Sequence, residues 1–327
     1  MAQLVAGFGS SHSPMLGALS EDWQSGAFIS RDKARAFVDL AGRPARYEDL
    51  LANAPAEAAA LMRPESLKQR HADAQSSIAQ MRSEIASARL DALIVVGDDQ
   101  EELFDHGNMP AIGIWYGDVI RNAKATTESD PLGRARQRYQ EPEADRDYPC
   151  HAGLARHLIA ALQDDGFDLS AMRGTAGGKS EGHAFSYVHR FCMGADPVPI
   201  VPLFLNAYYA PNQPSPARCV ALGQALARAI AACRMDLRVG ILASGGLSHF
   251  LVDEAFDHAV LDALRRKDLD FFRHAPAHKL LFGSSEIRNW ICLAGSMSGL
   301  DLVWANYVPG YRTPALTGTG LGFAIFR

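Results

Sequence analysis

Short apolar runs that stop abruptly in glycine, serine or acidic residues constrain this chain more than any other feature. Residues 239–250, VGILASGGLSHF, are the clearest case: an apolar run, then Ser244-Gly245-Gly246, then His249 just past the end. Residues 3–8 run into Gly9-Ser10-Ser11-His12-Ser13-Pro14, and residues 91–96 open onto Gly97-Asp98-Asp99-Gln100-Glu101-Glu102. Residues 197–205 give way to Asn206-Ala207-Tyr208-Tyr209-Ala210-Pro211; residues 111–116 and 320–326 complete the set. Apolar runs without alternation suit strands covered on both faces. In open α/β sheets, ligands sit where such strands end.

Between these runs the period lengthens to that of helices. Residues 67–90 place Ala72, Ile78, Met81, Ile85 and Leu90 on one face, with His71 on the polar side, where a solvated ring is expected. Residues 151–165 carry Leu154, Leu158, Ile159 and Leu162 on a stripe that Gly166 terminates. Residues 217–233, 253–272 and 287–297 also read as helices. Strands alternating with helices predict an α/β fold, a mixed central sheet with helices packed on its faces, in a single domain over residues 1–327. Residues 16–90 follow no strand pattern and are expected to form an N-terminal, largely helical insertion. Residues 122–148, charged and aperiodic, read as a surface loop.

Several functions are excluded. A net charge of -5 argues against a general nucleic-acid binder. No apolar run approaches the ~20 residues that span a bilayer, and the first residues lack the basic and apolar regions of a secretory signal. Five cysteines without CxxC spacing fit reduced thiols, hence a cytoplasmic protein. The loop 177–183, GGKSEGH, follows no strand and lacks the GxxxxGK[ST] spacing of a phosphate loop; it presents His183 before a helix.

His12, the turn 98–100 and Glu286 all stand at predicted strand or helix ends. Glu286 also has a plain explanation, since a carboxylate in a first turn is favoured by the helix dipole. Imidazole and carboxylate on one side of an ion, with other positions open, suit Fe(II) and also zinc. His183 and His249 would remain as acid–base groups, because imidazole titrates near neutral pH.

The pieces Ser11-His12-Ser13-Pro14, LIVVGDD, HAGLARHLIAAL, Gly182-His183, VPLFLNAYYAP, GGLSH and Ser285-Glu286-Ile287 occur in the order found in one family. On these pieces the sequence resembles the class III extradiol ring-cleaving dioxygenases, the protocatechuate 4,5-dioxygenase β-subunit type, and within them the 3-O-methylgallate 3,4-dioxygenase branch. The resemblance implies Fe(II), O2 and a vicinal-diol aromatic acid of the 3-O-methylgallate, gallate or protocatechuate type. It makes His12 and Glu286 metal ligands, His249 the base and His183 a second active-site imidazole. It also implies that the 206–211 turn, with Asn206 and Tyr208, lines the pocket. Chemistry alone nominates Arg312 or Tyr311 for a ring carboxylate. One departure is evident: where better-known members carry histidine as second ligand, this chain has Gln100. Gln100 is then expected to be a ligand or to touch one, with Asp99, Glu102, His71 or His106 as substitutes. A homodimer is expected, the 16–90 insertion covering the pocket as a small partner subunit does in the protocatechuate enzyme. The alternative is a non-catalytic or zinc-dependent member of the same fold, a binding protein or a hydrolase.

Overall fold

The structure, a computed structural model, describes residues 1–174 and 178–327. Gly177, at the head of the glycine-rich loop, lies outside the described residues. Nine strands form the main sheet: β1 Gln3–Ser10, β2 Ala92–Gly97, β3 Ile112–Trp115, β4 Ser170–Met172, β5 Ile200–Leu205, β6 Arg238–Ser244, β7 His249–Leu251, β8 Leu302–Tyr311 and β9 Thr317–Phe326. At its centre β1, β6, β2 and β5 lie side by side and parallel. On one flank β3 joins β5 antiparallel and β4 joins β3 parallel. On the other, β9 runs antiparallel, paired to β8 along its length, with β7 and then β1 on its opposite side. The mixed α/β architecture expected from the sequence is therefore present.

Each face of the sheet has its own core. Ile94 and Val96 of β2 point into one, with helices Ala152–Asp164, Pro216–Ala232 and Ile287–Ser296; Leu93 and Val95 point into the other, with helix Pro64–Ser87. A strand buried on both sides needs no polar alternation, so LIVV is apolar throughout.

Helix Ile287–Ser296 is buried at every residue and crosses helix Pro216–Ala232 at very close range. A Cβ at Gly223 would meet the Cys292 carbonyl oxygen at 1.9 Å, and one at Gly295 would meet the Val220 oxygen at 2.3 Å. Glycine on both sides lets backbone pack on backbone. The same helix is tied to the central strands: Trp290 Nε1 donates to the Gly245 oxygen at 2.7 Å, with the indole against Gly9. This anchorage sets Glu286, which immediately precedes the helix, over the ends of β1 and β6.

Three expectations need correction. Residues 122–148 are no plain loop. Val119–Asn122 and Arg146–Pro149 pair as a hairpin, and Pro131–Gln137 is a helix capped by Asp130, whose carboxylate accepts from the Leu132 and Gly133 amides. The helix is too short for its period to stand out among charges. His71 is half-buried, not solvated: Nε2 lies 3.0 Å from the Ala18 oxygen, with the ring edge-on to Trp23. Residues 253–272 form two helices, Glu254–Arg266 and Leu269–Arg273, broken where Lys267 takes a left-handed φ of 54°. Among the described residues no helix is long and apolar enough to cross a membrane.

Candidate metal and catalytic site

The carboxyl ends of β1, β6, β2 and β5 open onto one cleft of about 880 Å³. Because these strands are parallel neighbours, the chain leaving each delivers its polar residues to the same place. His12 arrives from β1, the 98–102 turn from β2, Tyr208 from β5 and His249 from β6; His183 and Glu286 come from the helices above.

His12 is buried, and its protonation can be read from its partners. Ser244 Oγ donates to the Ala184 oxygen at 2.7 Å, so at 3.0 Å from His12 Nδ1 it accepts from the ring. With the proton on Nδ1, Nε2 keeps a free lone pair. Tyr139 Oη fixes the backbone here by donating to the oxygens of His12 and Ser13. Around His12 Nε2 stand Glu286 Oε2 at 3.2 Å, His183 Nε2 at 3.2 Å and Asp98 Oδ1 at 3.8 Å.

His183 is held from behind. Its Nδ1 lies 2.7 Å from Glu102 Oε2, and its amide donates to Glu102 Oε1 at 2.8 Å. Burial disfavours charge on this ring, but Glu102, Asp98 and Glu286 together outweigh it and push the pKa up to about 10. His249 goes the other way. Its Nδ1 donates to the Leu247 oxygen at 2.9 Å, leaving Nε2 free 3.5 Å from Glu286 Oε2, and burial pulls its pKa below the ordinary value against the pull of Glu286. It is a neutral base facing the cleft. Its amide donates to Ser284 Oγ at 2.8 Å, and the ring lies so close to Gly246 that a Cβ there would sit 2.1 Å from Cε1. The second glycine of GGLSH is required by the ring three residues later.

Glu286 does not cap its helix with its side chain. Oε2 instead accepts from the Gly246 amide at 2.7 Å and Oε1 from Gln100 Nε2 at 3.3 Å. Burial works against its charge, yet His249 and His12 hold its pKa low. Asp98 is displaced upward, first by burial and then by Glu286, to about 6; its Oδ1 accepts from Asn289 Nδ2 at 3.1 Å. Lone pairs of two imidazoles facing buried carboxylates form a donor set suited to a divalent cation. Ligating atoms of His12, Asp98 and His183 all fall within 4.8 Å of one another.

Not every residue nominated from sequence stands in this group. Gln100 touches Glu286 and, at 3.5 Å, Asp98 through its amide nitrogen, bridging two carboxylates. Asp99 accepts from the amides of Glu102, Leu103 and Phe104, so it stabilises its own turn. His106 is exposed beside Glu101. Asn206 is turned inward: Nδ2 donates to the Tyr209 oxygen and to Asn212 Oδ1, both at 2.6 Å, bracing the turn while Tyr208 lines the cleft. Tyr311 points away from the cleft and bonds Glu254. Arg312 reaches the cleft wall, but Nε and Nη2 are both taken by Asp32 at 2.8 Å. A carboxylate already occupies the fork proposed for substrate. Within the 98–100 turn nominated from sequence, it is Asp98 that comes within 3.8 Å of His12 Nε2.

Comparison with known proteins places these observations. The chain is 33% identical over 184 residues to a gallate dioxygenase of Pseudomonas putida, 51% of each chain. It is 35% identical over 98 residues to a 2,3-dihydroxyphenylpropionate/2,3-dihydroxicinnamic acid 1,2-dioxygenase of Comamonas testosteroni, 29% of each. A Klebsiella pneumoniae enzyme of the same description matches at 36% over 104 residues, 32% of this chain and 31% of the other. The chain thus spans about half the length of the first relative and under a third of the other two. A family model described as the catalytic LigB subunit of aromatic ring-opening dioxygenase matches residues 54–321, a span that does not include His12. With most of its length covered by that model, the chain belongs to the LigB family of aromatic ring-opening dioxygenase catalytic subunits.

Proposed function

We propose that the protein is an Fe(II)-dependent extradiol dioxygenase that opens a vicinal-diol aromatic acid of the gallate, 3-O-methylgallate or protocatechuate type with O2. The reading rests above all on the packing of His12, Glu286, His183 and His249 around one point at the carboxyl ends of parallel strands. His12 and Glu286 would hold the metal, with a third donor from the 98–100 turn, either Asp98 or Gln100. When bound, a ferrous ion would fix the two adjacent hydroxyls, lower their pKa and pass electron density from ring to dioxygen.

The chain's own residues supply the rest. His249, neutral and with Nε2 free, accepts the proton of a substrate hydroxyl and can return it after the ring opens. His183, oriented by its bond to Glu102, gives up its Nε2 proton when the metal enters and can then take up and return a proton at a substrate oxygen beside it. Tyr208 stays a neutral donor in the cleft, since burial and the charges of Glu286 and Asp98 raise its pKa well above the ordinary value. Residues 16–90 contribute Phe28, Arg31, Asp32 and Arg35 to the cleft wall, which supports a role for that insertion in closing the pocket.

Oxygen uptake with gallate, 3-O-methylgallate and protocatechuate, before and after ferrous reconstitution under reducing conditions, tests the proposal. Iron-dependent uptake with at least one of them is expected. No uptake with any vicinal diol in iron-loaded protein would leave a binding protein or a hydrolase of the same fold.

A further inference from the structure

The acidic end of the cleft belongs to the site above; its basic wall has no assigned task. Arg31, Arg35, Arg136 and Arg312 all line it. Arg312 is matched by the bidentate pair with Asp32. Asp32 Oδ2 also accepts from Thr317 Oγ1 at 2.9 Å, so its capacity is largely used. Arg35 Nε donates to the Arg31 oxygen at 3.3 Å and comes no nearer than 3.8 Å to Asp32 Oδ1. Among the described residues, the two terminal nitrogens of Arg35 have no acceptor.

The Arg35 guanidinium is nonetheless held in place. Its Cζ lies 3.4 Å from the centroid of the Phe250 ring. An arginine on an aromatic face keeps its edge donors free. Phe250 follows His249 directly, and their ring centroids are 6.2 Å apart. Both residues are fixed in β7 by pairing with Thr319 and Gly318 of β9. The guanidinium is therefore no further from the proposed base than the sum of 3.4 and 6.2 Å, a span that one benzene ring with substituents at opposite ends bridges. Burial lowers the pKa of Arg35 to about 10; Asp32 opposes this, while Arg312 and Arg31 add to it, so an anion at this position relieves like-charge crowding.

We infer that Arg35, stacked on Phe250, binds the ring carboxylate of the substrate and makes the enzyme selective for aromatic acids over neutral vicinal diols. The inference rests on the ring-cleavage reading and adds a residue to it. Arg35 acts through binding and orientation, with its free Nη1 and Nη2 edge matched to two carboxylate oxygens.

The test compares Arg35→Gln and Arg35→Lys with the parent protein on gallate and on pyrogallol, which has the same hydroxyls but no carboxylate. Arg35→Gln is expected to raise KM for gallate by about tenfold or more while pyrogallol changes by less than about twofold, with Arg35→Lys in between. Equal weakening of both compounds, or of neither, overturns the inference. A calorimetric titration in the absence of oxygen reads binding without turnover: selective loss of gallate affinity in Arg35→Gln supports it. No gallate binding by the parent protein overturns it. Should the parent protein bind gallate but consume no oxygen with either compound, the ring-cleavage reading fails while the titration still decides the role of Arg35.

Discussion

The Nε2 atoms of His12 and His183 stand 3.2 Å apart, and each ring is fixed from behind at Nδ1, by Ser244 and by Glu102. Two lone pairs cannot face each other at that distance without a cation or a proton between them. Raised to about 10, His183 carries that proton at neutral pH.

A metal ion entering this cluster must displace that proton. Ferrous affinity is therefore expected to rise with pH between about 6 and 9, by up to about tenfold per pH unit. An anaerobic competition titration against a chelator measures the slope. His183→Asn should flatten it, and an unchanged slope in that variant would place the proton elsewhere.

Gln100 joins the two carboxylates, so its removal should weaken the metal site without abolishing it. Gln100→Ala is expected to lower iron affinity by about 10- to 100-fold, in the range for residues that orient ligands. Iron content and turnover untouched in Gln100→Ala would remove Gln100 from the site.

Asp257 gives a pH signature outside the His12–Asp98–His183 cluster. Its carboxyl is buried, accepts from the Ser248 amide, Ser248 Oγ and Tyr307 Oη, and is still pushed up by burial from 3.8 to about 7. The folded protein holds this proton more tightly than the unfolded chain. The contribution is full below pH 3.8 and is lost as pH rises through 7, a change on the order of a few kcal/mol. Urea denaturation at pH 5 and pH 8 should show a smaller difference between the two pH values in Asp257→Asn than in the parent protein.

Arg312 and Arg35 should separate cleanly. Arg312→Ala leaves Asp32 buried without its ion-pair partner and is expected to cost about 3–5 kcal/mol of stability. The readout is a fall in the denaturation midpoint. Arg35→Gln, which breaks no ion pair within 3.5 Å, should leave that midpoint nearly unchanged.

The buried centre of this fold was legible in the sequence, whereas its edges were not. LIVV, VGILA and PIVPLFL are apolar on both faces because they are covered on both faces, and their ends located His12, the 98–100 turn and the approach to His249. β8 went unassigned because Leu302–Tyr311 is an edge strand that tolerates Pro309, which pairs with Gly320. Tyr311 and Asn206 bond away from the cleft for a related reason. Residue type indicates what a side chain can bond, but the partner that takes the bond, Glu254 or the 206–212 turn, is fixed only by tertiary packing. Arg35 was invisible until Phe250 and Asp32 were placed around it.

The most direct measurement is ferrous binding and oxygen consumption on the same samples of parent protein, His12→Ala and Glu286→Ala, with gallate as substrate. The account predicts about one tightly held iron per chain and iron-dependent oxygen uptake in the parent, with both lost together in each variant. Retained iron and undiminished uptake in either variant would contradict it, because His12 and Glu286 would then not share one metal.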